Sequence, residues 1–309
     1  MKKSFILAAA LTLAATTAFA APKYTLGLLQ LVEHPSLDEI RTAMVAEFEK
    51  QGYGPDVLKI DYQNGQNSPT LINTICQKFV AANVDIIIPI ATPAAQGAAA
   101  ATEDIPIVFS AVSDPIAAGL VKNPDAPEAN ITGVSDAINP TGTFDLADEL
   151  TPGIKSYGIV YNTAEASSSS TARKAKAILT SRNIAFKEAV VSTSAEVPAA
   201  ITSLIGKVDA VYVPDDNTTA TAMTLLTEIA NENKTPVYAA VDSLVRDGAI
   251  ATCGASYTDL GAQTARMAIK VLEGTKISDI PVETVKGNLI VVNEQSAEVF
   301  GIDVSKYVK

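Results

Sequence analysis

The chain's only histidine, His34, lies in the run Val32-Glu33-His34-Pro35-Ser36-Leu37-Asp38, so any imidazole chemistry must pass through it. As a general base it has no matching nucleophile. There is no Gly-x-Ser-x-Gly elbow, Walker A loop, Gly-x-Gly-x-x-Gly fingerprint or His-Glu-x-x-His helix, and no cofactor signature. Glu33, His34 and Asp38 form a loop cluster of one imidazole and two acids, which is weak grounds for a metal. More telling are polar stretches that each follow an apolar run: Thr92 before Pro93, Ser110 with Ser113 and Asp114, Asn162 to Ser170, Asp215-Asp216-Asn217-Thr218, and Asp242-Ser243. Hydroxyls beside helix N-termini suit a carboxylate, whereas an Asp suits an ammonium. Hydroxyls dominate in the first half and carboxylates in the second. That is chemistry for holding a small polar molecule.

Helix capping accounts for part of this polarity. Ser36 with Glu39 has the spacing of a capping box, Thr92 precedes a Pro at a first helical position, and Asp216 or Asn217 can cap the helix that follows. Capping needs only one residue per helix, so Asp215 beside Asp216, or Ser110 with Ser113 and Asp114, remains to be explained.

The elements that carry these loops alternate along the chain. Tyr24 to Leu29, Val57 to Tyr62, Val84 to Ile90 and Ile107 to Phe109 read as strands, with helices over Ser36 to Lys50, Pro69 to Ala82 and Pro93 to Ala101 between them. After Asn130-Ile131-Thr132-Gly133 a second series begins. Its strands fall at Ser156 to Tyr161, Ala185 to Val191, Ala210 to Pro214 and Pro236 to Ala240. Its helices lie near Thr141 to Leu150, Ser169 to Ser181, Val197 to Ile205 and Asn217 to Asn231. Ile/Val runs joined by helical crossovers predict α/β architecture with two doubly wound, mainly parallel sheets. Tyr257 to Leu272, Leu289 to Val292 and Glu294 to Phe300 form a helix, strand and helix that cannot enclose a core alone. They must dock onto the two lobes, so the chain crosses between lobes more than once. The expected division is 1–20 as a leader, 21–137 with 252–282 as the N-terminal lobe, and 138–251 with 283–309 as the C-terminal lobe. In open parallel sheets ligands sit beyond the carboxyl ends of the strands, where the polar stretches lie.

Composition narrows the partners. The formal charge is −11, and losing Lys2 and Lys3 with the leader makes the remainder more acidic. Such a surface repels nucleic acid and anionic membranes. Aromatics make up 6% and Trp is absent, which disfavours a ring-stacking sugar site. Cys76 and Cys253 both lie among apolar residues, favouring two free thiols over a bridge. Met1-Lys2-Lys3, an apolar run from Phe5 to Ala15 and small residues ahead of Ala21 read as a secretory leader cleaved after Ala20. With no Cys behind the apolar run, an untethered, periplasmic mature chain is expected, without membrane insertion.

Several segments together resemble a known family. They are Val32 to Asp38, Ile90-Ala91-Thr92-Pro93-Ala94-Ala95-Gln96, Val112-Ser113-Asp114-Pro115 with Ala118 to Val121, Asn130 to Asp136, Tyr161-Asn162, Val213-Pro214 with Asp216-Asn217-Thr218, and Gly248-Ala249 with Leu260-Gly261. In this order and spacing they resemble the periplasmic substrate-binding components of ABC importers with the type I binding-protein fold, more narrowly the tryptophan/tyrosine-binding subfamily. The resemblance implies a non-enzymatic, monomeric receptor. Its two lobes are joined by a three-strand hinge and close on a small-molecule ligand for delivery to a membrane permease. Carried over, His34, Thr92, Ser113 and Asp114 line the first lobe's side, and Asn162, Asp216, Asn217 and Asp242 the second's. The ligand carboxylate then falls to Thr92 and Ser113 or nearby backbone N–H groups, and the ammonium to Asp216 or Asp242. Ser167-Ser168 and Ser256-Tyr257 depart from the family's usual Asn-Ser and Asp-Tyr, leaving the ligand side chain open. An uncharged solute such as a sugar or nucleoside, a sensor subunit, and a secreted hydrolase using His34 are the alternatives.

Overall fold

The computed structural model describes residues 21–285 and 287–308, so the expected leader lies outside the described residues. Strands β1 (Tyr24–Gln30), β2 (Leu58–Asn64), β3 (Ile86–Ile90), β4 (Ile107–Ser110) and β5 (Ile131–Ser135) alternate with helices α1 (Pro35–Lys50), α2 (Pro69–Ala81) and α3 (Thr92–Ala101). After α4 (Thr141–Leu150), the second series runs β6 (Ser156–Asn162), α5 (Ala166–Ser181), β7 (Ala185–Val191), α6 (Val197–Leu204) and β8 (Ala210–Val213). It continues through α7 (Asn217–Ala220), α8 (Met223–Glu232), β9 (Val237–Ala239), α9 (Asp242–Arg246) and β10 (Ala251–Gly254). Then come α10 (Tyr257–Leu272), β11 (Glu283–Thr284), β12 (Leu289–Val292) and α11 (Glu294–Phe300).

These strands make two six-stranded sheets, ordered β11-β5-β4-β3-β1-β2 and β12-β10-β9-β8-β6-β7. Pairing is parallel except for β12 against β10. The doubly wound two-lobe architecture is as expected, with one antiparallel edge. All five residues of β3 and all four of β4 are buried, as in a sheet covered on both faces.

Several elements depart from the sequence reading, among them β11 and α9, neither of which was expected. β5 and β10 are strands where none was expected, and the single helix over Asn217 to Asn231 is broken at Thr221-Ala222 into α7 and α8. β5 and β10 are short and polar in part, so their pairing comes from their neighbours rather than from a hydrophobic pattern.

The chain crosses between lobes three times, after β5, after β10 and after β11. Pairing with β12 keeps β10 in the second sheet through Gly254, and pairing with β5 holds Glu283 and Thr284 in the first. The last two crossings therefore fall a few residues beyond the expected 252 and 282. α10 returns to the first lobe and packs along α1, where Gly261 allows close approach: a Cβ there would strike the Ile40 carbonyl. Cys76 in α2 and Cys253 in β10 are free thiols, one in each lobe.

Candidate functional site

The carboxyl ends of both sheets face each other across the cleft, and side chains of one lobe reach the other directly. His34 Nε2 lies 3.2 Å from Asn217 Oδ1, Ser170 donates to Asp114 Oδ2 at 2.9 Å, and Ser36 pairs with Ser243. Ser113 donates to Asp215, and Arg246 bridges Glu39 at the rim. The lobes are thus closed.

Between them lies a cavity of about 30 Å³ lined by polar His34, Ser113, Asp136, Ser167, Asp215, Asp216 and Asn217, and by apolar Leu37, Ala91, Ala111, Ala220, Val241, Leu244 and Tyr257. That space holds one or two water molecules, so anything the size of an amino acid enters only after the lobes part. Among the described residues lining it, none is Lys or Arg.

Of the expected site residues, His34, Ser113, Asp216 and Asn217 come together on this cavity. The other four sit around it. Thr92 is buried behind Ala91 with its hydroxyl unpartnered. Asp114 is engaged with Ser170, and Asn162 donates its side-chain amide to Thr218 Oγ1 at 3.0 Å. Asp242 is committed to Arg246 at 3.1 Å and to the Ser243 N–H at 2.8 Å.

The capping question resolves residue by residue. Asp216 is a true cap: its Oδ1 accepts from the Thr219 N–H and its Oδ2 from the Asn162 N–H. The expected Ser36–Glu39 capping box does not form, because Ser36 turns to Ser243 while Glu39 takes Arg246 and Thr258. Glu33 accepts from Tyr62 and Asp38 from Gln30 and Arg41, so neither acid joins His34. Among the described residues no group of three or more His, Cys, Asp or Glu converges as metal ligands.

Two residues absent from the expected site dominate its electrostatics. Asp215 comes from the loop after β8, and its Oδ1 is buried without a partner. Asp136, just past β5 at the first crossing, also has an unpartnered Oδ1, while its Oδ2 accepts from Tyr257 OH at 3.0 Å. Burial, then the charge of Asp136, raises Asp215 to about 7; burial raises Asp136 as well. Burial lowers the His34 imidazole, favouring its neutral form. Ser167, in the first turn of α5, adds another unpartnered hydroxyl. The legible signal for Asp215 was the acid left over once Asp216 is assigned as cap. Asp136 had no signal beyond its place in the Asn130 to Asp136 segment.

Below the cavity, Glu165 accepts four hydrogen bonds: from the Asn217 and Thr218 N–H groups, the Asn217 amide at 2.7 Å and the Thr218 hydroxyl at 2.8 Å. It holds Asn217 where that residue meets His34. Ala91 and Ala111, at the ends of β3 and β4, have φ of +82° and +56°. Such strained backbone in non-glycine residues concentrates where a binding surface demands it.

Residues 25–309 match the family described as ABC transporter substrate binding protein. The chain belongs to that family. The family resemblance seen in the sequence is therefore borne out. A tyrosine-binding protein of Clostridioides difficile is 41% identical over 92% of this chain and 84% of its own length. Two solved structures are similar to the chain over most of its length. A Streptococcus pneumoniae ABC domain in complex with L-Trp is 34% identical, with a TM-score of 0.88 over 91% of this chain and 96% of its own. A ligand-free, open substrate-binding protein with adhesive properties from Clostridium difficile is 41% identical, yet its TM-score is 0.71 over 91% of this chain and 95% of its own. The more similar sequence is the less similar shape: that neighbour is open, whereas side chains of the two lobes meet across the cleft here. No described helix is long and apolar enough to cross a membrane.

Proposed function

We propose that this substrate-binding protein captures a small amino acid with an aromatic side chain outside the cytoplasm and delivers it, as a closed monomeric complex, to an ABC permease. The carrying observation is the unpartnered Oδ1 of Asp215 on a cavity whose described lining has no Lys or Arg. A buried carboxylate of this kind needs a cation, and an α-ammonium group supplies one. Asp215 replaces Asp216 and Asp242 in that role, since both of those acids already have partners.

The unpartnered hydroxyl of Ser167, on the cavity in the first turn of α5, is the donor for the ligand carboxylate. Leu37, Val241, Leu244 and the Tyr257 ring supply apolar surface for the side chain. The tyrosine-binding relative and the L-Trp complex support an aromatic one. An uncharged solute would leave Asp215 unpaired. Titration calorimetry of ligand-stripped protein against the standard amino acids tests the reading. Binding of tyrosine or tryptophan is expected, and no binding of any amino acid overturns it. Loss of uptake in a strain lacking the gene separates transport from sensing.

A further inference from the structure

Asp136 borders two spaces. One is the ligand cavity; the other is a cavity of about 360 Å³ enclosed by all three crossings, through Asp136 to Asn139, Cys253 to Ala255, and Thr284, Val285 and Gly287. The Asp136 side chain is 2% exposed. Its Oδ2 is tied to Tyr257 at the start of α10, and the preceding residue Ser135 accepts from the Val285 N–H at 3.0 Å. The carboxyl is therefore fixed to the hinge, with its other oxygen buried and unpartnered. Asp215, which shares the ligand cavity with Asp136, follows β8 of the second sheet.

We propose that Asp136 is the specificity-determining residue that makes lobe closure conditional on a positive charge in the ligand. Closing the cleft leaves the Asp136 and Asp215 carboxylates on one cavity of about 30 Å³, with room for one or two waters to screen them. Two buried like charges oppose each other, and either a cation or a proton must intervene. A ligand ammonium fills that role, which rests on the reading of the ligand given above; a proton fills it with no ligand at all.

The other groups around the pair do not remove the requirement. Lys174 of α5 acts on Asp136 from the second lobe only as the least of its influences, and its ammonium donates to the Ile138 carbonyl at 3.2 Å rather than to the carboxylate. Ser113 and Tyr257 donate hydroxyls without charge. His34 is held toward its neutral form, and Asp216 and Asp242 add only further negative charge. Tyr212, beneath Asp215, is buried and neutral.

Small-angle scattering of the ligand-free protein tests the gate without any ligand. The wild type is expected to be open at about pH 8 and to become compact toward about pH 5, whereas Asp136→Asn is compact throughout. Calorimetry supplies the second arm. Wild type should prefer L-tyrosine over its desamino analogue 3-(4-hydroxyphenyl)propionate, and Asp136→Asn should shrink that preference by about tenfold or more. An Asp136→Asn radius of gyration that follows the wild type at every pH, or an unchanged preference, overturns the proposal. Tyr257→Phe guards against a misfolded variant: losing the donor to Asp136 should move the compaction midpoint to higher pH, and an unmoved midpoint also overturns it. Failure of the wild type to bind tyrosine would sink the amino acid reading while leaving the ligand-free arm decisive for the gate.

Discussion

Two pairs of buried acids lie within the same cleft, and they are unlike in what their oxygens do. Glu165 and Asp216 form the lower pair; burial, then the charge of Asp216, raises Glu165 to about 7. Asp136 and Asp215 form the upper pair, with Asp215 raised to a similar value. Yet the lower pair is saturated with donors from Asn162, Asn217, Thr218 and Thr219, while each member of the upper pair keeps an unpartnered oxygen. A perturbed acid by itself does not mark a ligand contact. An unsatisfied one at a cavity does, because burying an acceptor with no partner is tolerated only where something else will supply the donor.

The largest test of this contrast is Asp215→Ala. Tyrosine affinity should fall by about 2–5 kcal/mol, the cost of truncating one partner of a buried charge pair, with the melting temperature unchanged or higher because an unsatisfied acid is gone. Glu165→Ala should do the reverse in kind. Stripping the Asn217 and Thr218 N–H groups of their acceptor should lower stability by about 2–3 kcal/mol in denaturant unfolding. If Asp215→Ala destabilised the protein while Glu165→Ala only weakened binding, the assignment of the two pairs would be inverted.

A smaller effect follows from the raised carboxyl of Asp215. An ammonium requires the ionised form, so protons compete with the ligand. Calorimetry should give full affinity above about pH 7 and a loss approaching about tenfold per unit below it. The ligand-free closed state has the opposite dependence: it is favoured in acid and loses stability as pH rises through the same value, since its carboxyl is raised above the unfolded one. Affinity that stayed level down to about pH 5 would remove Asp215 from the ammonium site.

The smallest effect lies at the rim. Arg246 holds Glu39 across the cleft and Asp242 within its own lobe, but it is half exposed. Arg246→Ala should cost at most about 1 kcal/mol of ligand affinity, and less in high salt. A loss as large as that of Asp215→Ala would move the closing force from the cavity to the rim.

The polar stretches beyond strand ends were readable because residue type and position along an α/β chain already say which loops face the cleft. His34, Ser113, Asp216 and Asn217 reach the cavity for that reason. Thr92, Asp114, Asn162 and Asp242 belong to the same loops but support rather than line it, a difference of one side-chain direction that spacing does not carry. Asp216, read as both a cap and a ligand contact, lines the cavity with both oxygens accepting from backbone N–H groups; its neighbour Asp215, one residue earlier, has the free oxygen.

The alternation of Ile/Val runs with helical segments by itself determined two doubly wound lobes, because those periods can bury their apolar residues in no simpler way. The ordered motifs pointed to the family. Only the tertiary structure decided which acids remain unsatisfied, since a hydrogen bond depends on donors that arrive from distant segments. Tyr257 meets Asp136 across 121 positions of sequence and Ser113 meets Asp215 across 102. The first needs the folded lobe and hinge; the second exists only once the two lobes have closed.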